Sequence, residues 1–265
     1  MLNTQDGWIG GAKYEDFMGR WSRKLAPEFV AWLKIPYGAH WLDVGCGTGA
    51  LTEAICMHAD PASVVGCDPS AAFVEYAQQQ SRDKRASFVV DGAGSLPKRG
   101  KGYGCVSSLL ALNFFPDHVA AVKEMGSLVQ PGGVVSACVW DYAGKMEFLR
   151  YFWDVVVAED PGASDQDEGV RFPICNRASL TKLFNTAGLI DVVCEAIDIP
   201  TKFSSFDDYW QPLLAGTGPA AAYVASLDES RRDALAYMLN QKLPQNDEET
   251  ISLVARAWAV RGTAS

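Results

Sequence analysis

Apolar residues follow two different spacings along the first 140 residues of the chain. Short β-prone runs that end at Asp, Pro or Gly predict core strands, and the stretches between them carry the three-to-four-residue spacing of helices. The predicted strands are residues 40–44, 63–67, 87–90, 103–110 and 134–140. The predicted helices between them are residues 50–58, 70–80 and 117–128. Strands that alternate with helices favour an α/β protein whose mostly parallel sheet is covered on both faces.

The pattern changes on either side of this region. Before it, an apolar stripe over residues 22–33 predicts a helix that ends before Pro36. Pro131, Gly132 and Gly133 predict a turn just before the fifth strand. After Trp140, the predicted elements are helices at 147–159 and 179–187, a charged loop at 160–176, strands at 189–199 and 251–261, and a mostly helical stretch at 205–243 with breaks around Pro212 and 216–219.

A glycine-rich loop follows the first predicted strand. The run WLDVGCGTG at residues 41–49 leads at once into a helical stretch, which predicts a strand, a tight loop and a helix. Glycine permits a sharp turn and lets a ligand approach the backbone closely. Free N–H groups at the helix start can then bind a polar or anionic group. Gly45, Gly47 and Ala50 also fit the dinucleotide pattern G-x-G-x-x-G/A, so the loop alone leaves two kinds of cofactor open.

Acidic residues lie at the ends of three predicted strands. Asp43 precedes the first glycine by two residues, Asp68 follows the second strand and Asp91 follows the third. Because ligands bind at the carboxyl ends of the strands in open α/β sheets, the three carboxyl groups are expected at one edge. A carboxylate there can accept hydrogen bonds from both hydroxyl groups of a ribose. An Asp in such a place is also a common helix cap or turn former, and each one taken singly leaves that alternative open.

Together, these features resemble the cofactor-binding motifs of class I S-adenosylmethionine-dependent methyltransferases. Asp43 and the glycines at 45, 47 and 49 form D-x-G-x-G-x-G, and the acids at 68 and 91 follow in the family's order. Leu96 and Pro97 continue the pattern. The resemblance extends over nearly the whole chain, and it is to the small-molecule (type 11/25-like) branch of this seven-stranded, Rossmann-like family.

The resemblance implies a role for each motif in binding S-adenosyl-L-methionine, whose product is S-adenosyl-L-homocysteine. Asp68 is expected to accept from the ribose hydroxyls, and Asp91 from the adenine amine beside a backbone N–H that reads the ring. Asp43 is expected to order the loop and to reach towards the amino group of the ligand. The other expected cofactor-binding residues are Gly45, Cys46, Gly47, Gly49, Pro69, Gly92, Ala93 and Leu109.

A segment at residues 14–22 resembles one that folds over the cofactor in one branch of the family. Arg20 is the expected partner of the methionine carboxylate, because guanidinium and carboxylate match in a fork. Tyr14 and Trp21 are expected on the sulfonium side, where an aromatic face attracts a cation. A surface arginine and two core aromatic side chains are the alternative interpretation of the same residues.

The family's fold is a doubly wound, mostly parallel seven-stranded sheet whose last strand is antiparallel. We expect a single domain in which residues 37–140 form the cofactor-binding core. A helical cap is expected from residues 1–36 and from residues 141–187 and 200–250. The last two core strands are expected in residues 188–199 and 251–262. The excursion between those strands is longer than a turn, so we assign it to a cap that covers the substrate.

Methyl transfer from a sulfonium is an in-line substitution that depends mainly on alignment in a dry pocket. A base is needed only when the acceptor must lose a proton, so no fixed catalytic group has to be present. The candidates on the acceptor side are Asn113, Phe114, His118, Trp140 and Tyr142. A helix-capping histidine without chemistry is the alternative for His118.

The acceptor is expected to be a small, partly apolar molecule. The tetrapeptide at 113–116, NFFP, lacks the proline pair of the N/D-P-P-Y/F motif, which argues against a nucleic-acid base as acceptor. Cap aromatic side chains are expected either to line an apolar pocket or to pack in the core: Phe152, Trp153, Phe206, Tyr209 and Trp210. Arg171, in the charged loop, is a possible partner for an anionic substrate or a solvated charge.

Composition narrows the choice of partners and compartment. A net charge of −9 disfavours broad binding to a phosphate backbone. No apolar run reaches membrane-spanning length, and the first residues lack the pattern of a secretory signal. Seven cysteines without a C-x-x-C pair predict reduced thiols in a cytoplasmic protein, and three scattered histidines predict no metal site.

Three functions are therefore compared. The first is methyl transfer to a small molecule. The second is a non-catalytic module that binds S-adenosylmethionine, which the absence of mandatory acceptor-side residues leaves open. The third is a nicotinamide-dependent oxidoreductase, which would share the glycine loop and the ribose-binding acid but would not explain Asp43, Gly49 or the run at 91–93. Oligomeric state is not addressed by these patterns.

Overall fold

The computed structural model describes residues 15–214, 218–246 and 248–264. Its strands form one sheet in the order β3-β2-β1-β4-β5-β7-β6. Their bounds are β1 His40–Val44, β2 Ser63–Asp68, β3 Ala86–Val90, β4 Tyr103–Leu109, β5 Val129–Trp140, β6 Ile190–Phe203 and β7 Ile251–Thr263. The first five strands pair in parallel, and β7 is antiparallel to both β5 and β6. The doubly wound, mostly parallel sheet with an antiparallel last strand is therefore confirmed.

Helices flank the sheet in the described residues. Their bounds are α1 Arg20–Leu33, α2 Ala50–His58, α3 Ala71–Gln80, α4 His118–Leu128, α5 Glu147–Glu159, α6 Glu168–Arg171, α7 Arg177–Thr186, α8 Phe206–Leu214, α9 Pro219–Ser226 and α10 Glu229–Lys242. A π-helical turn at Glu15–Gly19 precedes α1, and 3-10 turns occupy Leu112–Phe114 and Pro161–Gln166. Ser70 and Asp117 cap α3 and α4 by accepting backbone N–H groups at 3.4 and 2.9 Å.

The predicted strand bounds agree within one residue for β1 to β4 and differ for β5 and β6. β5 begins at Val129, so the residues of the predicted turn, 131–133, belong to this strand. The pairing of β4 with β5 changes register there. β6 continues to Phe203, which pairs with Ile251, so residues 200–203 belong to the sheet rather than to the cap. Pro200 is tolerated there because β6 is an edge strand, where a missing N–H costs no ladder bond.

A break in the helical stretch was predicted around Pro212. This prediction is wrong, because Pro212 lies inside α8. Proline leaves the carbonyl four residues earlier without its helical donor. That carbonyl belongs to Asp208, and it accepts a hydrogen bond from Nη2 of Arg20 at 3.4 Å. A long-range contact therefore replaces the bond that proline removes.

One aromatic cluster joins the cap to the core. Trp21 of α1 lies 5.3 Å from Phe203 and 6.1 Å from Phe148, measured between ring centroids. Tyr209 of α8 lies 5.3 Å from Phe203, and its hydroxyl donates to the carbonyl of Phe148 at 2.9 Å. Edge-to-face pairs of this kind stabilise packing beyond the area they bury. The cap elements α1, α5 and α8 thus meet at the end of β6.

All seven cysteines are buried free thiols. Across the described ranges, no helix has both the length and the apolar character that crossing a membrane requires. Within the same ranges, no three His, Cys, Asp or Glu side chains gather as metal ligands would.

A carboxyl group is buried beneath the cap. Glu168 is 5% exposed, and the indole Nε1 of Trp153 donates a hydrogen bond to its Oε2 atom. Burial raises the pKa of Glu168 to about 7, an effect that the indole hydrogen bond partly opposes. Asp43 behaves in the same way, since burial raises its pKa to about 7 as well.

We expect the free energy of unfolding to fall as the pH rises from about 4 to 7. The unfolded chain releases these protons at the ordinary carboxyl pKa values of 3.8 and 4.5, whereas the folded chain holds them to about 7. These two carboxyl groups therefore stabilise the fold fully at a pH below their pKa in the unfolded chain. The stabilisation is lost as the pH rises through their pKa in the folded chain. Glu168→Gln should raise stability at pH 8 by up to about 3 kcal/mol and flatten this slope.

Urea denaturation at several pH values measures this effect. Glu28→Gln is the matched control, because Glu28 is exposed on α1 and loses the same charge. A Glu168→Gln protein less stable than the parent at pH 8, with an unchanged slope, would show that the buried carboxylate is ionised and paired.

Candidate functional site

A cavity opens at the carboxyl ends of β1 and β4, where the strand order reverses. The empty space at this site, counted together with the open solvent at its mouth, is about 820 Å³. Its described lining is Met18, Ser22, Asp43, Gly45, Cys46, Gly47, Thr48, Ala50, Leu51, Asp68, Phe73, Leu109, Leu110, Ala111, Phe114, Trp140 and Tyr142. The fold therefore brings the glycine loop together with the residues that follow β4 and β5.

The glycine loop is folded tightly against β2. The N–H groups of Gly45 and Cys46 both donate to the carbonyl of Cys67, at 2.8 and 3.0 Å. Gly45 has φ 74°, and a Cβ at this position would lie 2.4 Å from the Cβ of Ala111. Gly47 has φ 50°, and a Cβ there would meet no atom within 4 Å. Gly45 is thus required by close packing, whereas Gly47 leaves open space beside the backbone.

Asp68 supports the glycine loop directly. Its Oδ2 atom accepts from the N–H of Gly47 at 3.0 Å, and its Oδ1 atom accepts from the N–H of Ser70 at 2.8 Å. Burial raises the pKa of Asp68, and the two backbone donors oppose that rise. The predicted alternative of a local turn former is therefore present in the geometry. Sequence reasoning missed the bond to Gly47, because no local signal links residues 21 positions apart.

Asp43 lies below the loop with one oxygen bound and one unpaired. Its Oδ2 atom accepts from the hydroxyl of Thr52 at 2.7 Å. Its Oδ1 atom is buried and has no hydrogen-bond partner within the described residues. A buried carboxylate oxygen without a donor is costly, so this atom is suited to a ligand that brings one. Thr52 was not identified from the sequence, although it lies one turn into the helix that follows the loop.

The loop after β3 lies beside Asp68 but outside the cavity lining. The N–H of Asp91 donates to the carbonyl of Asp68 at 3.2 Å, and a Cβ at Gly92 would lie 3.5 Å from Pro69. Asp91 uses its Oδ1 atom to accept from the N–H of Gly92 at 3.0 Å. Ala93 follows in the same turn. Asp91 thus forms a local turn, and its predicted contact with adenine stays a prediction.

Glu124 of α4 was missed by sequence reasoning and holds this same loop. Its Oε2 atom accepts from the N–H of Gly94 at 2.6 Å, and its Oε1 atom accepts from the N–H of Leu96 at 3.0 Å. Two charge-assisted bonds to backbone N–H groups two residues apart restrict the loop. The only sequence signal is an acid on a predicted helix, which does not point to a site.

The N-terminal segment contributes other residues than those predicted. Met18 and Ser22 line the cavity, whereas Arg20 and Trp21 do not. Arg20 donates from Nη1 to Oδ1 of Asp208 at 2.7 Å, and Trp21 is 1% exposed in the aromatic cluster. Tyr14 lies outside the described residues. The predicted roles of these three residues towards the ligand stay predictions.

Three of the aromatic side chains that line the cavity come from the segments at and after the ends of β4 and β5. This aromatic wall consists of Phe114, Trp140 and Tyr142. Phe172 packs behind it, with centroid distances of 5.1 Å to Phe114 and 5.5 Å to Tyr142. Phe172 follows Arg171 in the predicted charged loop. Its neighbours in the sequence therefore did not indicate that it would approach the site.

Asn113 and His118 lie outside the cavity lining. Asn113 is 5% exposed, and neither polar atom of its side chain has a hydrogen-bond partner in the described parts of the chain. The same holds for Nε2 of His118. Both follow β4 in sequence, Asn113 directly before the wall residue Phe114 and His118 four residues after it, so they remain candidates for contact with a bound molecule.

The cap aromatic side chains pack in the protein interior or against each other. Phe152 and Trp153 are fully buried, with centroids 5.0 Å apart, and both contact Tyr223. Phe206 stacks on Trp210 at 6.1 Å. None of these side chains belongs to the lining of the cavity, so core packing is their observed arrangement.

The known proteins that this chain is similar to are described as methyltransferases. A family model described as a methyltransferase domain matches residues 42–133. The chain is 28% identical over 185 residues to trans-aconitate 2-methyltransferase of Variovorax paradoxus, covering 69% of this chain and 65% of the relative. It is 30% identical over 124 residues to ubiquinone biosynthesis O-methyltransferase of Coxiella burnetii, covering 46% of this chain and 50% of the relative.

The whole fold also has solved counterparts. The YcgJ protein of Bacillus subtilis superposes with a TM-score of 0.58 at 17% identity, covering 92% of this chain and 98% of the other. This likeness concerns the fold alone. The two curated relatives match over about two thirds and one half of their own lengths.

Proposed function

We propose that this chain, which belongs to the class I S-adenosylmethionine-dependent methyltransferases, transfers a methyl group to a small, partly apolar molecule. One observation carries the proposal. A single cavity is lined both by the glycine loop with Asp43 and Asp68 and by the aromatic wall. The first side suits a nucleoside with an amino-acid tail, and the second suits an apolar acceptor.

The described residues fit S-adenosylmethionine at two points. The unpaired Oδ1 atom of Asp43 is the acceptor that the ligand's ammonium group needs. The open space beside Gly47 lets the ligand approach the backbone, where a larger side chain would intrude. These two features support the amino-acid end of the cofactor lying along the loop.

The nucleoside end is assigned to Asp68 and to the loop after β3. Each carboxylate oxygen has two lone pairs, so Asp68 can accept from the ribose hydroxyls while it keeps its bonds to Gly47 and Ser70. Asp91, Gly92 and Ala93 bind adenine in this proposal. The remaining cofactor contacts come from Cys46, Gly49, Pro69 and Leu109.

The N-terminal segment closes over the cofactor in this proposal. Arg20 binds the methionine carboxylate, and its observed pair with Asp208 supports the match between this guanidinium and a carboxylate. Tyr14 and Trp21 belong to the same closing segment. We assign the chain to one domain with a helical cap, acting in the cytoplasm on a small-molecule acceptor without nucleic acid or membrane partners.

The chemistry needs little from the protein beyond alignment. The bound cofactor supplies a methyl group on a sulfonium, which is already a good leaving group. The aromatic wall holds the acceptor in line and excludes water. His118 is the candidate to accept a proton when the acceptor must lose one, and Asn113 is a candidate to hold the acceptor by hydrogen bonds.

Calorimetric titration with S-adenosylhomocysteine tests the proposal, with NADH and NADPH titrated in parallel. Micromolar binding of S-adenosylhomocysteine alone is expected, followed by turnover of a labelled methyl donor with a mixture of small acceptors. Binding of a nicotinamide instead would favour an oxidoreductase. Binding of S-adenosylhomocysteine without any transfer would favour a non-catalytic module.

A further inference from the structure

Charge is distributed one-sidedly around the cavity. Among the described residues, its titratable carboxyl groups are those of Asp43 and Asp68, which belong to the glycine loop and its support. No Lys, Arg or His side chain lines the cavity within this part of the chain. A carboxylate on the acceptor would lose its hydration beside these walls without gaining a cationic partner from the described lining.

Arg20 and Arg171, which the sequence predicted as partners of an anionic group, contact other residues in the structure. The guanidinium of Arg20 is bound to Asp208 at 2.7 Å and lies over the rings of Trp21 and Phe203. Arg171 lies against Phe172, with its Cζ atom 5.2 Å from the ring centroid. Neither guanidinium belongs to the surface that an acceptor would touch.

The acceptor side is built from aromatic rings two layers deep. Phe114 meets Phe172 edge to face, with an interplanar angle of 79°, and Tyr142 is tilted against Phe172 by 42°. Trp140, at the end of β5, is 1% exposed and completes the wall. Ring faces and edges held at fixed angles favour a planar ring in stacked or edge-to-face contact over a flexible aliphatic chain.

We infer that the acceptor of this site is a planar aromatic molecule that is uncharged at its reacting end, and that the site rejects carboxylates. This inference rests on the proposed methyltransferase function. The positive charge that the cofactor brings favours the ionised forms of Asp43 and Asp68 beside it, so that charge does not need an anionic acceptor. The aromatic wall and Phe172 behind it select the ring.

Matched aromatic ligands test the inference in the full-length protein saturated with S-adenosylhomocysteine. At pH 7, 2-naphthol is neutral and 2-naphthoate is anionic, and they share one ring system. Calorimetry should give at least tenfold weaker binding for 2-naphthoate. The saturated analogue decahydro-2-naphthol should also bind more weakly than 2-naphthol. Equal or tighter binding of the anion, or of the saturated ring, overturns the inference.

The prior titration with S-adenosylhomocysteine separates the two possible failures. If that compound does not bind, the proposed function fails. If it binds and the naphthyl pair shows no preference for the neutral ligand, only the inference about the acceptor fails.

A substitution in the wall tests the physical cause. Phe114→Arg introduces a cation among the rings and should shift the ratio of the two naphthyl affinities at least tenfold towards 2-naphthoate. Tyr37→Arg is the matched control, because Tyr37 is 78% exposed in the turn before β1, at the opposite edge of the sheet. An unchanged ratio in folded Phe114→Arg contradicts the inference. If that variant does not fold, the comparison in the unmodified protein still decides.

Discussion

Gly45→Ala is expected to weaken binding of S-adenosylhomocysteine at least about 100-fold, which corresponds to ~2.7 kcal/mol. The added Cβ would lie 2.4 Å from the Cβ of Ala111, so either the glycine loop or the segment after β4 must move. The backbone at Gly45 also has φ 74°, where a side chain adds about 1–2 kcal/mol of strain. Both segments line the cavity, so the displacement acts on the ligand site itself. Calorimetric titration measures the loss.

Gly38→Ala is the control that separates backbone strain at positive φ from displacement of the segments that line the cavity. Gly38 has φ 75°, nearly the same as Gly45, but a Cβ there would meet no atom within 4 Å. This control should lose stability and keep its affinity for S-adenosylhomocysteine. Circular dichroism establishes that each variant is folded. Equal affinities in the two folded variants would mean that the loop does not form the ligand site.

Asp68→Ala is expected to reduce affinity for S-adenosylhomocysteine by roughly 10- to 100-fold. Hydrogen bonds to a charged group contribute ~1.5–3 kcal/mol, and the substitution removes those proposed to the ribose. It also removes the acceptors of the Gly47 and Ser70 N–H groups, at 3.0 and 2.8 Å. The measured loss therefore combines contact with the ligand and support of the loop.

A comparison of adenosine with 2′-deoxyadenosine separates these two contributions. If Asp68 binds the ribose hydroxyls, the parent protein prefers adenosine and Asp68→Ala abolishes the preference. If Asp68 only supports the loop, both nucleosides lose the same factor. Asp117→Ala is the matched control for the loss of an aspartate that accepts a backbone N–H, since Asp117 accepts the N–H of Ala120 at 2.9 Å outside the cavity. Its nucleoside affinities should match those of the parent.

Local sequence was enough to predict most of the sheet. β1 to β4 are short apolar runs that stop at Gly, Asp or a turn, and their bounds depend on neighbouring residues. β5 and β6 were predicted too short because their ends depend on pairing. Residues 200–203 are extended because β7 pairs with them, and the pairing of Phe203 with Ile251 joins distant parts of the chain. Propensity alone does not predict such a partner.

In the candidate site too, some residues could be predicted from local sequence and others depend on long-range contacts. Asp43, the glycine loop and Asp68 lie at strand ends, so topology places them at one edge once the strands are parallel. Arg20 was expected to face a ligand, yet it pairs with Asp208, which is 188 residues away in the chain. Phe172 reaches the aromatic wall from a charged loop. Long-range contacts of this kind leave no mark in local spacing.

By itself, the sequence determined the fold class and the glycine loop with its acids, because periodicity and strand-end residues act over a few neighbours. Tertiary structure alone decided how those acids are used. It joined Asp68 to Gly47, left one oxygen of Asp43 unpaired and kept every described basic side chain out of the cavity lining. These outcomes depend on which distant segments share the interior, since burial and pairing are properties of the packed chain.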